Sequence, residues 1–156
     1  SSDIQIVLHP QSIIHSMVQY ADGSALAQMG NPDMRTPIAH CLAYPERVNS
    51  GVKPLDFTDI VDFSFQLPDF NRYPNLQIAI EACEAGQYAT TALNAVNEMT
   101  VAAFLSGDIT FNQIAQINHD VVQHISSRQL TSIEAVLELD TEVRALSKQY
   151  LQRACA

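Results

Sequence analysis

The sequence predicts an α+β chain: a β-hairpin and a short helix, then a linker, then an all-α helical bundle. Three observations predict it. Two runs of strand-forming residues flank Asp22-Gly23 in the first third. Pro45, Pro54 and Pro68, with Asn49-Ser50-Gly51, interrupt residues 44–71. From Arg72 onward apolar residues recur at helical spacing, and two capping-box tetrapeptides mark helix starts. Composition agrees, because 47% hydrophobic and 16% charged residues in 156 leave ample material for a packed core.

Taken in order, Ile4-Gln-Ile-Val-Leu8 reads as a strand that stops at His9-Pro10, since proline cannot donate to a ladder. The runs Ile13 to Tyr20 and Ser24 to Met29 are joined through Asp22-Gly23, which predicts a hairpin with a type I′ turn. Apolar residues occupy both faces of these runs, so both faces are expected to be covered, and two strands need sheet partners outside this stretch. Thr36-Pro37 predicts an N-cap followed by proline at the first helical position, with Ile38, Cys41 and Leu42 on one face of a short helix. A short strand is expected around Phe63 to Phe65.

Leu76, Ala79, Ile80 and Cys83 then fall at i, i+3, i+4 and i+7 of a helix that Gly86 ends. Tyr88 to Leu105 is apolar on more than one face, as a helix central to a bundle must be. Thr110-Phe-Asn-Gln113 is a capping box with Ile109 and Ile114 at the staple positions, and Ile114, Ile117, Val121 and Ile125 form its inward stripe. Thr131-Ser-Ile-Glu134 predicts a short helix through Leu137, and Asp140 predicts the cap of a last one carrying Val143, Leu146 and Tyr150 inward.

Charge excludes some roles. Eight Lys and Arg stand against 17 Asp and Glu, a net of −9, so a nucleic-acid or anionic-membrane partner is not expected. The excess is concentrated in the bundle: residues 1–56 hold three basic and five acidic side chains, residues 57–156 five and twelve. Cys41, Cys83 and Cys155 are too scattered for a disulfide framework or a metal clip and read as free thiols. No signal peptide or membrane span is expected, which points to the cytoplasm. The start, Ser1-Ser2-Asp3 without an initiator Met, reads as that of a cut chain.

Candidate site residues are few. His9, Ser12 and His15 lie within seven residues and could present a hydroxyl and imidazoles to a polar substrate; the plainer reading is a corner whose polar groups satisfy the backbone. Histidine spacing does not support a zinc site. Met34 after Pro32 could lie over a flat ligand or simply fill a core gap. Asn49 to Lys53 could cradle an anion or be an ordinary turn. Asn94, Asn97 and Glu98 share a helical arc and read first as ties between helices.

Four stretches in order carry more as a set: His9-Pro-Gln-Ser-Ile-Ile-His-Ser-Met17, Asn31-Pro-Asp-Met-Arg-Thr-Pro-Ile-Ala-His40, Arg47-Val-Asn-Ser-Gly-Val-Lys-Pro-Leu-Asp-Phe57 and Ala89-Thr-Thr-Ala-Leu-Asn-Ala-Val-Asn-Glu98. Together they resemble the C-terminal part of the 1-deoxy-D-xylulose 5-phosphate reductoisomerase family. The resemblance implies an enzyme that converts this phosphorylated sugar to 2-C-methyl-D-erythritol 4-phosphate in non-mevalonate isoprenoid biosynthesis. It implies NADPH, Mg²⁺ or Mn²⁺, and a homodimer. It implies that residues 1–43 end an α/β catalytic domain, 44–71 connect, and 72–156 form the bundle domain. Ser12 and His15 match residues that approach the substrate, and Pro32 and Met34 match residues that close over nicotinamide and substrate. The family's glycine-rich dinucleotide fingerprint, its Asp-Ser-Glu metal motif and its Asn-Lys-Gly-Leu-Glu segment do not occur in this sequence. No catalytic residue and no metal ligand is therefore expected in this chain, and alone it is expected to be inactive. The alternative is an independent acidic helical module for protein association.

Overall fold

The computed structural model of the chain describes residues 3–60 and 62–154. They fall into two compact units, Ile6–Pro68 and the residues from Asp69 onward with the segment before Ile6. The architecture is α+β, a two-stranded antiparallel sheet and a short helix followed by a helical bundle.

In the first unit β1 (Ile14–Gln19) pairs with β2 (Ala25–Met29), with Val18 opposite Leu26 and Met17 opposite Ala27. The connection differs from the expected type I′ turn. Tyr20 O accepts from Gly23 N–H at 3.0 Å, Tyr20 N–H donates to Ser24 O at 2.8 Å, and only Gly23 has a positive φ, 86°. This is a three-residue loop closed by a left-handed glycine, which needs no positive φ at Asp22. Asp22 instead accepts from the Ser24 N–H and hydroxyl at 2.9 and 2.6 Å. Met17, Val18 and Leu26 are all exposed, and among the described residues no further strand joins the pair, in keeping with the expectation that its partners lie outside this stretch.

The expected first strand contracts to one bridge, Leu8 with Gln66, through two hydrogen bonds of 2.8 and 2.9 Å. The strand expected near Phe63 is the other half of that bridge. Residues 44–68 group with the hairpin. The short helix α1 (Arg35–Ala43) starts ahead of the expected Thr36 cap, with Met34 at the cap position. Asp33 Oδ1 accepts from the Arg35 N–H at 2.9 Å, and Pro37 sits in the first turn, where its missing N–H would have had no intrahelical partner. Ile38, Cys41 and Leu42 do share a face, but all are exposed and α1 buries no residue.

In the second unit, α2 (Pro74–Ala85), α3 (Gln87–Leu105), α4 (Phe111–His124) and α5 (Ile133–Ala154) form the bundle. Helix α3 packs against α2, α4 and α5, as its apolar circumference predicts. Ala89, Ala92 and Ala95 are fully or almost fully buried, and their small side chains allow close approach. Val96, Val121, Leu139 and Val143 are apolar side chains withdrawn almost completely from water, at roughly 1.5–3 kcal/mol each. On α2 the buried stripe is Ile78 and Ala82; Leu76, Ala79 and Ile80 are only half-buried and Cys83 is exposed, so the expected face is rotated.

The α4 capping box forms: Gln113 Oε1 accepts from the Thr110 N–H at 2.7 Å, and the staple pair Ile109 and Ile114 is buried. Its inward stripe is buried throughout. The last two expected helices are one. Ser132, not Thr131, caps α5 by accepting from the Ala135 N–H at 3.2 Å, and Asp140 lies mid-helix, bonded to Arg144 at 2.7 Å. An i, i+4 ion pair satisfies the carboxylate without interrupting the helix. Among the described residues no helix is long and apolar enough to cross a membrane. Cys41 and Cys83 carry free exposed thiols, and Cys155 lies outside the described residues.

Candidate functional site

The candidate site is built around the turn that feeds β1. His9 O accepts from the Ser12 N–H at 3.0 Å, and Ser12 takes a φ of 52°, the one positive value among described residues other than glycine. That left-handed conformation costs roughly 1–2 kcal/mol for an L-residue, so the surroundings must hold it. Two residues on, the ladder slips between Ile14 and Ser16, leaving His15 as the extra residue of a β-bulge. A bulge re-aims a side chain relative to the strand. The His15 ring thereby lies between Ser12 O, 3.1 Å from Nε2, and the side-chain amide of Gln28, 3.1 Å from Nδ1. A backbone carbonyl can only accept, so Nε2 carries its hydrogen and donates to Ser12 O.

Gly30, whose N–H donates to Ile13 O at 3.0 Å, borders the ring: a Cβ there would stand 3.9 Å from His15 Cε1. The chain then turns through Asn31-Pro32-Asp33-Met34. Asn31 Nδ2 donates to Lys53 O, and Asp33 holds Arg35 through its backbone N–H and guanidinium, with N···O distances of 2.7–3.1 Å. These bonds keep the Asp33 carboxyl at a pKa of about 2. The loop is pinned at both ends, while Pro32 and Met34 project outward, Met34 with 69% of its surface exposed. Met34 is thus not a core filler in this chain.

Other candidates resolve into architecture. His9 Nδ1–H donates to Ser64 O at 3.0 Å and its ring stacks on Phe65, 5.0 Å between centroids, so His9 satisfies the backbone. In the Asn49 turn, Asn49 Oδ1 takes the Gly51 N–H at 2.8 Å, which leaves the turn closed on itself. Asn97 belongs to a buried network: Asn118 Nδ2 donates to Asn97 Oδ1 at 2.9 Å and to Asn75 Oδ1 at 3.1 Å, and the Thr100 hydroxyl donates to Asn118 Oδ1 at 2.9 Å. Glu98 accepts from Arg144 at 2.6 Å and ties α3 to α5. Among the described residues no three His, Cys, Asp or Glu side chains converge to hold a metal.

The structure therefore links Ser12 and His15 directly and places Pro32 and Met34 on the loop that leaves their hairpin. It also adds Gln11, Gln28 and Ser64, which residue patterns did not single out. Gln28 was legible only as a polar residue on the strand opposite His15. Ser64 lies 53 residues from Gln11, its partner, and no local signal could have paired them.

A family model described as DXP reductoisomerase C-terminal domain matches residues 29–146. The 1-deoxy-D-xylulose 5-phosphate reductoisomerase of Shewanella loihica is 58% identical over 94% of this chain, which spans 37% of that protein. Among solved structures, the reductoisomerase from Zymomonas mobilis in complex with NADPH superposes with a TM-score of 0.86 at 43% identity, over 93% of this chain and 38% of that one. A DOX-P reductoisomerase in complex with magnesium gives a TM-score of 0.83 at 38% identity, over 96% of this chain and 40% of that one. The chain spans somewhat over a third of the length of these relatives. With the family model matching residues 29–146 and a 58% identical relative covering 94% of the chain, it belongs to the DXP reductoisomerase C-terminal domain family.

Proposed function

We propose that this chain is the C-terminal portion of an NADPH- and divalent-metal-dependent reductoisomerase converting 1-deoxy-D-xylulose 5-phosphate to 2-C-methyl-D-erythritol 4-phosphate. The observation that carries the reading is the 58% identity to a reductoisomerase over nearly the whole chain. In this reading residues 1–43 close the catalytic domain, 44–71 connect, and 72–156 are the bundle domain. The Ser12 hydroxyl binds the polar end of the sugar phosphate. His15, aimed by its bulge and held by Ser12 O and Gln28, sets the shape and polarity of the same pocket wall. Pro32 and Met34 supply an apolar, adaptable cover over nicotinamide and substrate that excludes water from the hydride path.

The cofactors belong elsewhere in the protein. The sequence holds no glycine-rich dinucleotide motif, and in this reading NADPH and Mg²⁺ or Mn²⁺ are held chiefly by residues outside this chain, with Met34 contributing a nicotinamide contact. When bound, they supply a hydride and a Lewis acid. The working enzyme is a cytoplasmic homodimer in this reading.

A fusion tests it. The chain is placed behind the upstream part of the Shewanella loihica enzyme, replacing the segment it matches, and NADPH oxidation is followed with 1-deoxy-D-xylulose 5-phosphate. Turnover by the fusion and none by the chain alone is the expected result. A folded fusion without turnover would overturn the reading in favour of an independent association module, as would turnover by the chain alone in favour of a self-sufficient enzyme.

A further inference from the structure

Residues 64–66 reach into the turn that carries Ser12 from far along the chain. Ser64 uses every polar group it has. Its carbonyl accepts from His9 Nδ1–H at 3.0 Å, its hydroxyl accepts from Gln11 Nε2 at 2.9 Å, and its N–H and hydroxyl both face Gln11 Oε1, at 3.4 and 3.3 Å. Phe65 stacks on the His9 ring, and Gln66 closes the two-way bridge to Leu8. Gln11, His9 and Ser64 are half-buried, so these bonds are partly withdrawn from competing water. The strained residue, Ser12, follows Gln11 directly, and its carbonyl is the acceptor that orients His15.

We propose that Ser64 is a positioning residue: through Gln11 it holds the Ser12–His15 arm in the geometry that receives the sugar phosphate. The inference rests on the function proposed above. Ser64 bonds to Gln11 and His9, not to Ser12 or His15, so it acts through the turn. Without the side-chain clamp Ser12 is free to relax from φ 52° toward extended backbone. That rotation turns its carbonyl away from His15 Nε2 and moves its hydroxyl. The bond from His9 Nδ1–H to Ser64 O and the backbone bridge between Leu8 and Gln66 would remain, so the unit keeps its fold while the arm loses its register.

The test uses the active fusion with Ser64→Ala, Gln11→Ala, the pair together, and Ser64→Thr. Each alanine variant should raise KM for 1-deoxy-D-xylulose 5-phosphate by about fivefold to tenfold, the loss of one neutral hydrogen bond, and leave KM for NADPH unchanged. The double variant should be no worse than either single one, because both remove the same contact. Ser64→Thr, which keeps the hydroxyl, should restore the natural KM. A second readout does not need turnover: in spectra of the fusion with ¹⁵N-labelled histidine, the His15 ring signals should move in both alanine variants and stay in place in Ser64→Thr. Unchanged sugar-phosphate KM with unmoved His15 signals overturns the proposal. So does an equal loss in every kinetic constant together with a lowered Tm, which would mark a merely structural residue. A natural-sequence fusion that never turns over sinks the proposed function instead, and the His15 signals then decide the positioning role alone.

Discussion

At the scale of single residues, the site-bearing unit is organised by short polar side chains that bond their own neighbourhood. Asp22, Asp33, Asn49 and Asp56 each accept from a backbone N–H two residues on, which fixes the loops that Gly and Pro only permit. Asp33 bears on the site because the Met34 loop hangs from it. Its folded pKa lies below the ordinary carboxylate value, so its contribution is fully present above about pH 4 and is lost as pH falls through about 2. The carboxyl carbon of Asp33 should therefore titrate near pH 2 in a ¹³C experiment, and Arg35→Gln should raise that midpoint. A midpoint at the ordinary value in the natural chain would show that the Asp33–Arg35 pairing does not persist in solution.

At the scale of elements, local signals succeeded where both partners are close in sequence. The Thr110 box, the Ile109 staple and the α4 stripe relate residues no more than five positions apart at each step, and all form. Asp140 misled because a cap and an i, i+4 ion pair use the same carboxylate, and only Arg144 in register decides between them. Asn118 shows the reverse. It is fully buried in the apolar middle of α4, and its amide joins α2, α3 and α4. Asn118→Ala should cost about 2 kcal/mol, more than one neutral hydrogen bond, because it removes the partner of the buried Thr100 hydroxyl and of the half-buried Asn97 and Asn75 amides together. Urea unfolding of the purified chain measures this, and a loss under 1 kcal/mol would mean water replaces the amide.

Over the whole molecule, every buried residue among those described lies between Ile78 and Ser147, whereas the Ile6–Pro68 unit buries none. The bundle has its own apolar core; the hairpin unit is held by hydrogen bonds and turns. Amide exchange of this chain should thus be at least about a hundredfold slower in α3, α4 and α5 than in β1 and β2, since local opening free energy follows buried contacts. Equal protection in both units would mean that Met17, Val18 and Leu26 find cover in solution.

The sequence by itself determined the place of the hairpin, the cap, staple and stripe of α4, and which family the chain resembles, since caps, turn glycines and helical periods act over a few residues. Tertiary structure alone decided which face of α2 is buried, that α5 runs unbroken, and that Ser64 grips the Ser12 turn. Those outcomes depend on which surfaces meet, and a hydrogen bond between residues 53 positions apart leaves no periodic trace in a single sequence.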